Sequence, residues 1–265
     1  MSSELVEKLI KAGIDKNEAI KEISILNKEV SEPLKILELV EKRINTRKPL
    51  QYLLGKAYFM DFEVAVNEKV LIPRPETEIL VEEAVKRINS SNKITAIDIG
   101  TGSGIIAIAL SKIISNIEVT AIDINSDIVN IAHENAQKNN VDKKIYFEIC
   151  DLFSEKAEKI FRSNRFNLII SNPPYVSESS FSTLEPEVRC YEPKIALIGS
   201  GVDNLGYYER ILLLVTKNIE PDLIAFEIDP LLVNDLKILL KRMNLKNGEF
   251  LKDYSGQDRY LFINM

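Results

Sequence analysis

The chain has 265 residues, 45% hydrophobic and 28% charged, with 10 Gly and 10 Pro. This profile excludes a disordered or fibrous chain and leaves room for one large α/β domain with a small accessory domain. With 34 Lys+Arg against 40 Asp+Glu the net charge is -6, so long-range attraction to a phosphate backbone is not favoured.

The two cysteines, Cys150 and Cys190, form no CxxC pair, so neither a disulfide framework nor a metal site is expected. The opening MSSELVEKLI lacks a basic segment followed by a small-residue cleavage site, and no apolar run is long enough for a bilayer. Neither a secretory signal nor membrane association is therefore expected.

Leu5, Val6, Leu9 and Ile10 recur at helical spacing, and Gly13 follows as a stop. Asp15 and Glu18 have capping-box spacing ahead of a second helix with Ile20, Ile23 and Leu26 inward. A third helix starts near Pro33 and is expected to bury Leu37, Val40 and Ile44. Together these predict a small helical domain over residues 1–48.

Residues 49–75 change pattern: Tyr58, Phe59, Phe62, Val64, Val66 and Val70 to Ile72 read as extended chain. A turn at Asn67 and Glu68 would make this linker a β-hairpin. Across residues 76–265, the apolar runs ITAIDIG, EVTAID, KIYFEIC, FNLIIS and LIAFEI alternate with helical segments. The closing EFLKDYSGQDRYLFINM reads as two strands turning at Ser255 and Gly256. The expected fold class is thus α/β, a doubly wound, mainly parallel seven-stranded sheet. The single histidine, His133, falls on an amphipathic helix and reads as a surface residue.

The chemistry concentrates at predicted strand ends. Asp98, Gly100, Thr101, Gly102, Ser103 and Gly104 lie where a buried strand meets a helix, a ligand position in open α/β sheets. The GxGxG spacing departs from the GxGxxG of dinucleotide sites, and Asp98 offers a partner for an ammonium group, which suits an aminoacyl sulfonium cofactor. Asp123 ends the next strand, where an acidic residue reaches ribose hydroxyls. Asp151 ends the third, placed to accept from an adenine amino group, with Leu152 packing on the ring.

After the fourth strand comes Asn172-Pro173-Pro174-Tyr175. The Asn172 amide oxygen and the Pro173 carbonyl can both accept from one NH2 group, aiming its lone pair at the methyl donor. The prolines stiffen the arrangement, and Tyr175 offers an aromatic face to a planar acceptor. Asn172, Pro173 and Tyr175 are the candidate catalytic groups. Methyl transfer from a sulfonium demands positioning more than a strong base, so no neighbouring histidine is required.

PLQYLLG, VLIPRPETE, DIGTGSG, SNPPY and VRCYEPKIAL occur in one order along most of the chain. In this the sequence resembles the protein-(glutamine-N5) methyltransferases that modify peptide chain release factors. The resemblance implies S-adenosylmethionine as cofactor, held at residues 100–104, Asp123, Leu152 and Asn172. It implies as substrate the glutamine of a GGQ loop in a class 1 release factor, met by Asn172, Pro173, Pro174 and Tyr175. Arg74, in the PRPET block, becomes a candidate substrate contact at the pocket entrance.

A cytoplasmic protein without stable nucleic-acid binding follows from the same likeness. Related tetrapeptides serve DNA and RNA N-methyltransferases, so an exocyclic base amine is the alternative acceptor, and a ribosomal-protein glutamine is another. A non-catalytic cofactor-binding scaffold would bind the cofactor without transferring a methyl group. Leu152 departs from the aromatic residue of some family members, as Asp229 does from the glycine expected after FEI.

Overall fold

The computed structural model describes residues 2–88, 92–201 and 203–265. Four helices open it: α1 (Ser2–Lys11), α2 (Lys16–Glu29), α3 (Pro33–Thr46) and the short α4 (Leu50–Leu54). Leu5, Leu9, Ile23, Leu26 and Val40 close a small apolar core of their own. Asp15 caps α2, accepting from the amides of Asn17 at 2.7 Å and Glu18 at 3.2 Å. Glu18 makes no described return contact as a capping box requires; its carboxylate reaches Arg43 at 3.5 Å.

Three inward assignments change with helix phase. Ile20 is exposed and Ala19 buried, while α3 turns Ile36, Leu39, Val40 and the guanidinium stem of Arg43 inward. Leu37 and Ile44 are left at the margin of the core. Arg43, 1% exposed, is held by Glu22 at 2.9 Å and by Glu187 at 3.0 Å. A fully buried arginine is tolerated only with such partners.

Strands β1 (Lys56–Phe59) and β2 (Phe62–Ala65) form an antiparallel hairpin. Its reversal is at Met60 and Asp61, ahead of the expected Asn67 and Glu68. The edge-on pair Phe59–Phe62, centroids 5.7 Å apart, buries both rings and brings the strands together across those two residues. Asn67 makes a second turn, accepting from the Val70 amide at 3.1 Å, and the chain then runs irregularly to α5 (Pro75–Arg87).

The remainder alternates as the apolar runs suggest: β3 (Ile94–Ile99), α6 (Ile105–Ile113), β4 (Ile117–Asp123), α7 (Ser126–Lys138), β5 (Ile145–Ile149), α8 (Glu155–Ser163) and β6 (Leu168–Ser171). Two short helices, α9 (Glu178–Phe181) and α10 (Pro186–Tyr191), precede α11 (Gly206–Asn218), β7 (Leu223–Glu227), α12 (Val233–Arg242), β8 (Gly248–Lys252) and β9 (Asp258–Asn264). The seven strands lie in the order β5-β4-β3-β6-β7-β9-β8. The first five are parallel, and β9 runs antiparallel to both β7 and β8.

One apolar core lies between the sheet and α5, α6 and α7, a second between the sheet and α8, α11 and α12. Cover on both faces is why the central strands read as continuous apolar runs. Between β3 and β6 the chain switches direction across the sheet, leaving a crevice at the strands' carboxyl ends. No described helix is long and apolar enough to cross a membrane.

Candidate active site

A cavity of about 410 Å³ occupies that crevice. Its wall brings together Gly100 and Gly102 after β3, Asp123 at the end of β4, Asp151 and Leu152 after β5, and Asn172 with Pro173 and Pro174 after β6. The two motifs that the sequence placed some seventy positions apart therefore face one space.

Gly100 turns the backbone at φ 73°, and a Cβ there would meet nothing within 4 Å, so its open side faces room for a ligand. Gly104 serves packing instead. Its φ is 87° and an added Cβ would lie 3.2 Å from Ala132, so α6 can start against α7 only with glycine there. The Gly102 amide donates to Asp123 Oδ2 at 3.1 Å, tying the glycine turn to the end of β4. Burial pushes the Asp123 carboxyl above its ordinary range, partly offset by these backbone donors.

Asp98, Thr101, Ser103 and Gly104 are behind the turn, off the cavity wall. Asp98 is 0% exposed; one carboxylate oxygen accepts from Thr101 Oγ1 at 2.7 Å, and the other has no hydrogen-bond partner among the described residues. Burial pushes its pKa up to about 7. The Ser103 carbonyl accepts from Asn135 at 2.9 Å, and Asn135 also accepts from the Ala65 amide at 2.7 Å, pinning the turn to the hairpin.

At the far end, Asp151 accepts from the Phe153 amide at 2.9 Å, and Arg210 donates to the Leu152 carbonyl at 2.9 Å. That loop is thereby fixed, with Leu152, Ile128 and Ile211 giving the cavity an apolar slot.

These groups fit an aminoacyl sulfonium nucleoside. The glycine face is open, an acidic pair lies at the strand ends, and an apolar slot is present.

The wall around Asn172 is built differently. Asn172, half-buried, donates through Nδ2 to Thr77 Oγ1 at 3.2 Å. Thr77 donates to Glu227 Oε2 at 2.7 Å, and the Tyr175 hydroxyl donates to Glu227 Oε1 at 3.2 Å. Burial pushes Glu227 up to about 7 against the pull of these two donors, and it pushes the Tyr175 hydroxyl well up as well. Tyr175 lies off the cavity wall, its ring against the core beside α11. Arg74 lies off it too: its guanidinium pairs with the buried Glu192 and borders a second cavity, between the opening helices and α10.

Residues 75–185 match the family described as Methyltransferase small domain. The chain is 38% identical to the release factor glutamine methyltransferase of Flavobacterium psychrophilum, over 86% of this chain and 79% of that protein. The chain belongs to the release factor glutamine methyltransferase family. Its counterpart from Fusobacterium nucleatum is 38% identical over 86% of this chain, which spans 63% of that protein's length. In fold, this family member is similar to the N-terminal domain of human METTL16 in complex with SAH, with a TM-score of 0.56 at 16% identity, covering 86% of this chain and 82% of that one.

Sequence reasoning missed several wall residues of this glutamine methyltransferase relative. Val70 and Leu71 come from the linker, Ile195 and Ser200 from the stretch after α10, and Phe153 and Tyr207 stand together with ring centroids 5.6 Å apart. Phe153 adjoins Leu152, so an aromatic beside the strand end was a visible signal. The others come close only through long-range folding. His133 lies exposed on α7, as expected.

Proposed function

We propose that this chain transfers a methyl group from S-adenosylmethionine to the side-chain amide nitrogen of the GGQ glutamine in class 1 peptide chain release factors. The observation that carries the proposal is the placement of Asn172 and the glycine turn on one cavity wall. When bound, the sulfonium supplies an electrophilic methyl group with a good neutral leaving group.

In this reading the Gly100 and Gly102 backbone cradles the aminoacyl part. Asp123 takes the ribose hydroxyls, and Asp151 and Leu152 take the base. Asp98, through Thr101, holds the turn from behind, and its carboxylate attracts the cofactor's ammonium group electrostatically.

Asn172 Oδ1 and the Pro173 carbonyl accept the two amide hydrogens of the glutamine, which presents the nitrogen to the methyl carbon. Pro173 and Pro174 hold the backbone, and Tyr175 anchors the tetrapeptide. The proton leaves nitrogen after transfer, so no strong base is needed. Arg74, engaged with Glu192, serves the substrate by holding the entrance segment.

The division into residues 1–48, 49–75 and 76–265 gives the helical part the task of recognising a folded release factor in the cytoplasm. A net charge of -6 accords with a protein acceptor over a nucleic acid.

The test is incubation with radiolabelled cofactor and separate pools of release factor, DNA and RNA. Label confined to release factor is expected. Label appearing only in nucleic acid would overturn the proposal in favour of a base amine.

A further inference from the structure

The acceptor side contains a chain of hydrogen bonds whose polarity is fixed at one end. Glu227 closes β7 with 1% of its surface exposed, and in its ionised form, which predominates above about pH 7, it can only accept. Two hydroxyls reach it, one on each oxygen: Thr77 from the first turn of α5 and Tyr175 from the tetrapeptide. A hydroxyl has a single proton. With that of Thr77 committed to Glu227, Thr77 can only accept on its other side. The amide group it meets at 3.2 Å must therefore be the NH2 of Asn172.

Asn172 Oδ1 is then directed away from Thr77, and no described protein group donates to it. An isolated asparagine could present either end of its amide, since the two ends are nearly the same shape. Presenting NH2 to a glutamine NH2 would set donor against donor. Only the other orientation can accept the acceptor's hydrogens.

We propose that Glu227 and Thr77 are positioning residues, which lock the Asn172 amide with its oxygen toward the acceptor nitrogen and hold Tyr175 from the same carboxylate. The inference rests on the role given to Asn172 above. It adds that the clamp's selectivity for an NH2 acceptor is set from positions 77 and 227, remote in sequence and off the cavity wall.

The surroundings keep this carboxylate in place. The Tyr208 hydroxyl donates to the Glu227 backbone carbonyl at 3.0 Å, and the positive charge of Arg259 favours ionised Glu227. A role confined to tying β7 to α5 would need no hydroxyl shared with Asn172.

The test uses the full chain with release factor and cofactor. Thr77→Val removes the hydroxyl while keeping the shape, Thr77→Ser restores it, and Glu227→Gln leaves one carbonyl for two donors. Turnover, acceptor KM and cofactor Kd are measured for each, with thermal unfolding to establish folding.

Thr77→Val is expected to lower kcat about 30-fold and Glu227→Gln about tenfold, with cofactor Kd changed by less than about twofold. Thr77→Ser should return to within about threefold of wild type. Wild-type turnover in folded Thr77→Val or Glu227→Gln overturns the inference, as does a Thr77→Ser enzyme no better than Thr77→Val. These results leave the function proposed above standing, because wild type still methylates release factor. A wild-type chain that leaves release factor unmethylated overturns both.

Discussion

The two sides of the cavity are built by different means. The proposed cofactor side is made of backbone and strand ends within short reach: Gly102 bonds to Asp123, 21 positions on, and Asp98 to Thr101 three positions on. The proposed acceptor side draws Asn172, Thr77 and Glu227 from separate elements, with Thr77 95 positions from Asn172 and 150 from Glu227. A site that must wrap a ligand can be encoded as a local motif. One that must aim a single amide needs a scaffold that over-determines its rotamer, and that scaffold is non-local.

Each prediction separates the two sides. Asn172→Ala should give the largest effect, a loss of turnover of about 1000-fold with cofactor Kd within about threefold, read by steady-state kinetics and calorimetry. Parallel loss of cofactor binding would erase the distinction drawn here.

Next comes the buried carboxylate. The folded protein holds Glu227 at about 7 against an ordinary 4.5, so the fold favours its protonated form. This stabilising contribution is complete below about pH 4.5 and is lost as pH rises through 7. Relative to wild type, Glu227→Gln should therefore gain stability by about 3 kcal/mol between pH 4 and pH 8. Denaturant titrations across that range should show the difference widening; a constant difference would mean Glu227 is not held in a desolvated site.

Asp123→Ala should weaken cofactor binding by about 30-fold while leaving kcat at saturating cofactor nearly intact, the mirror image of Asn172→Ala. Unchanged Kd would remove Asp123 from the cofactor side. The smallest expected change is for Asp151→Asn, where an exposed carboxylate becomes an amide of the same shape. Cofactor Kd should rise by about fivefold, measured by the same titration, and no rise would remove the contact to the base.

The sequence was legible where physics is local. Five apolar runs located the parallel strands, and the closing segment, turning at Ser255 and Gly256, located the last two. Glycine spacing and the Asn-Pro-Pro-Tyr tetrapeptide located the crevice because strand-to-helix junctions concentrate ligand groups.

What escaped was relational. Arg43 was assigned no place from the sequence, and its burial depends on Glu22 from another helix and Glu187 from α10. The hairpin turned early because the Phe59–Phe62 contact, not the later Asn67, brings the strands together. Glu227 could have been suspected as a carboxylate ending the wholly buried LIAFE, but nothing in the sequence said which hydroxyls would meet it.

The most direct test of the central claim is mass-spectrometric mapping of release factor after incubation with wild type and with Asn172→Ala. A single methyl group on the side-chain nitrogen of the GGQ glutamine, absent with the variant, is the result this account predicts. A methyl group on any other residue, or the same yield with Asn172→Ala, would contradict it.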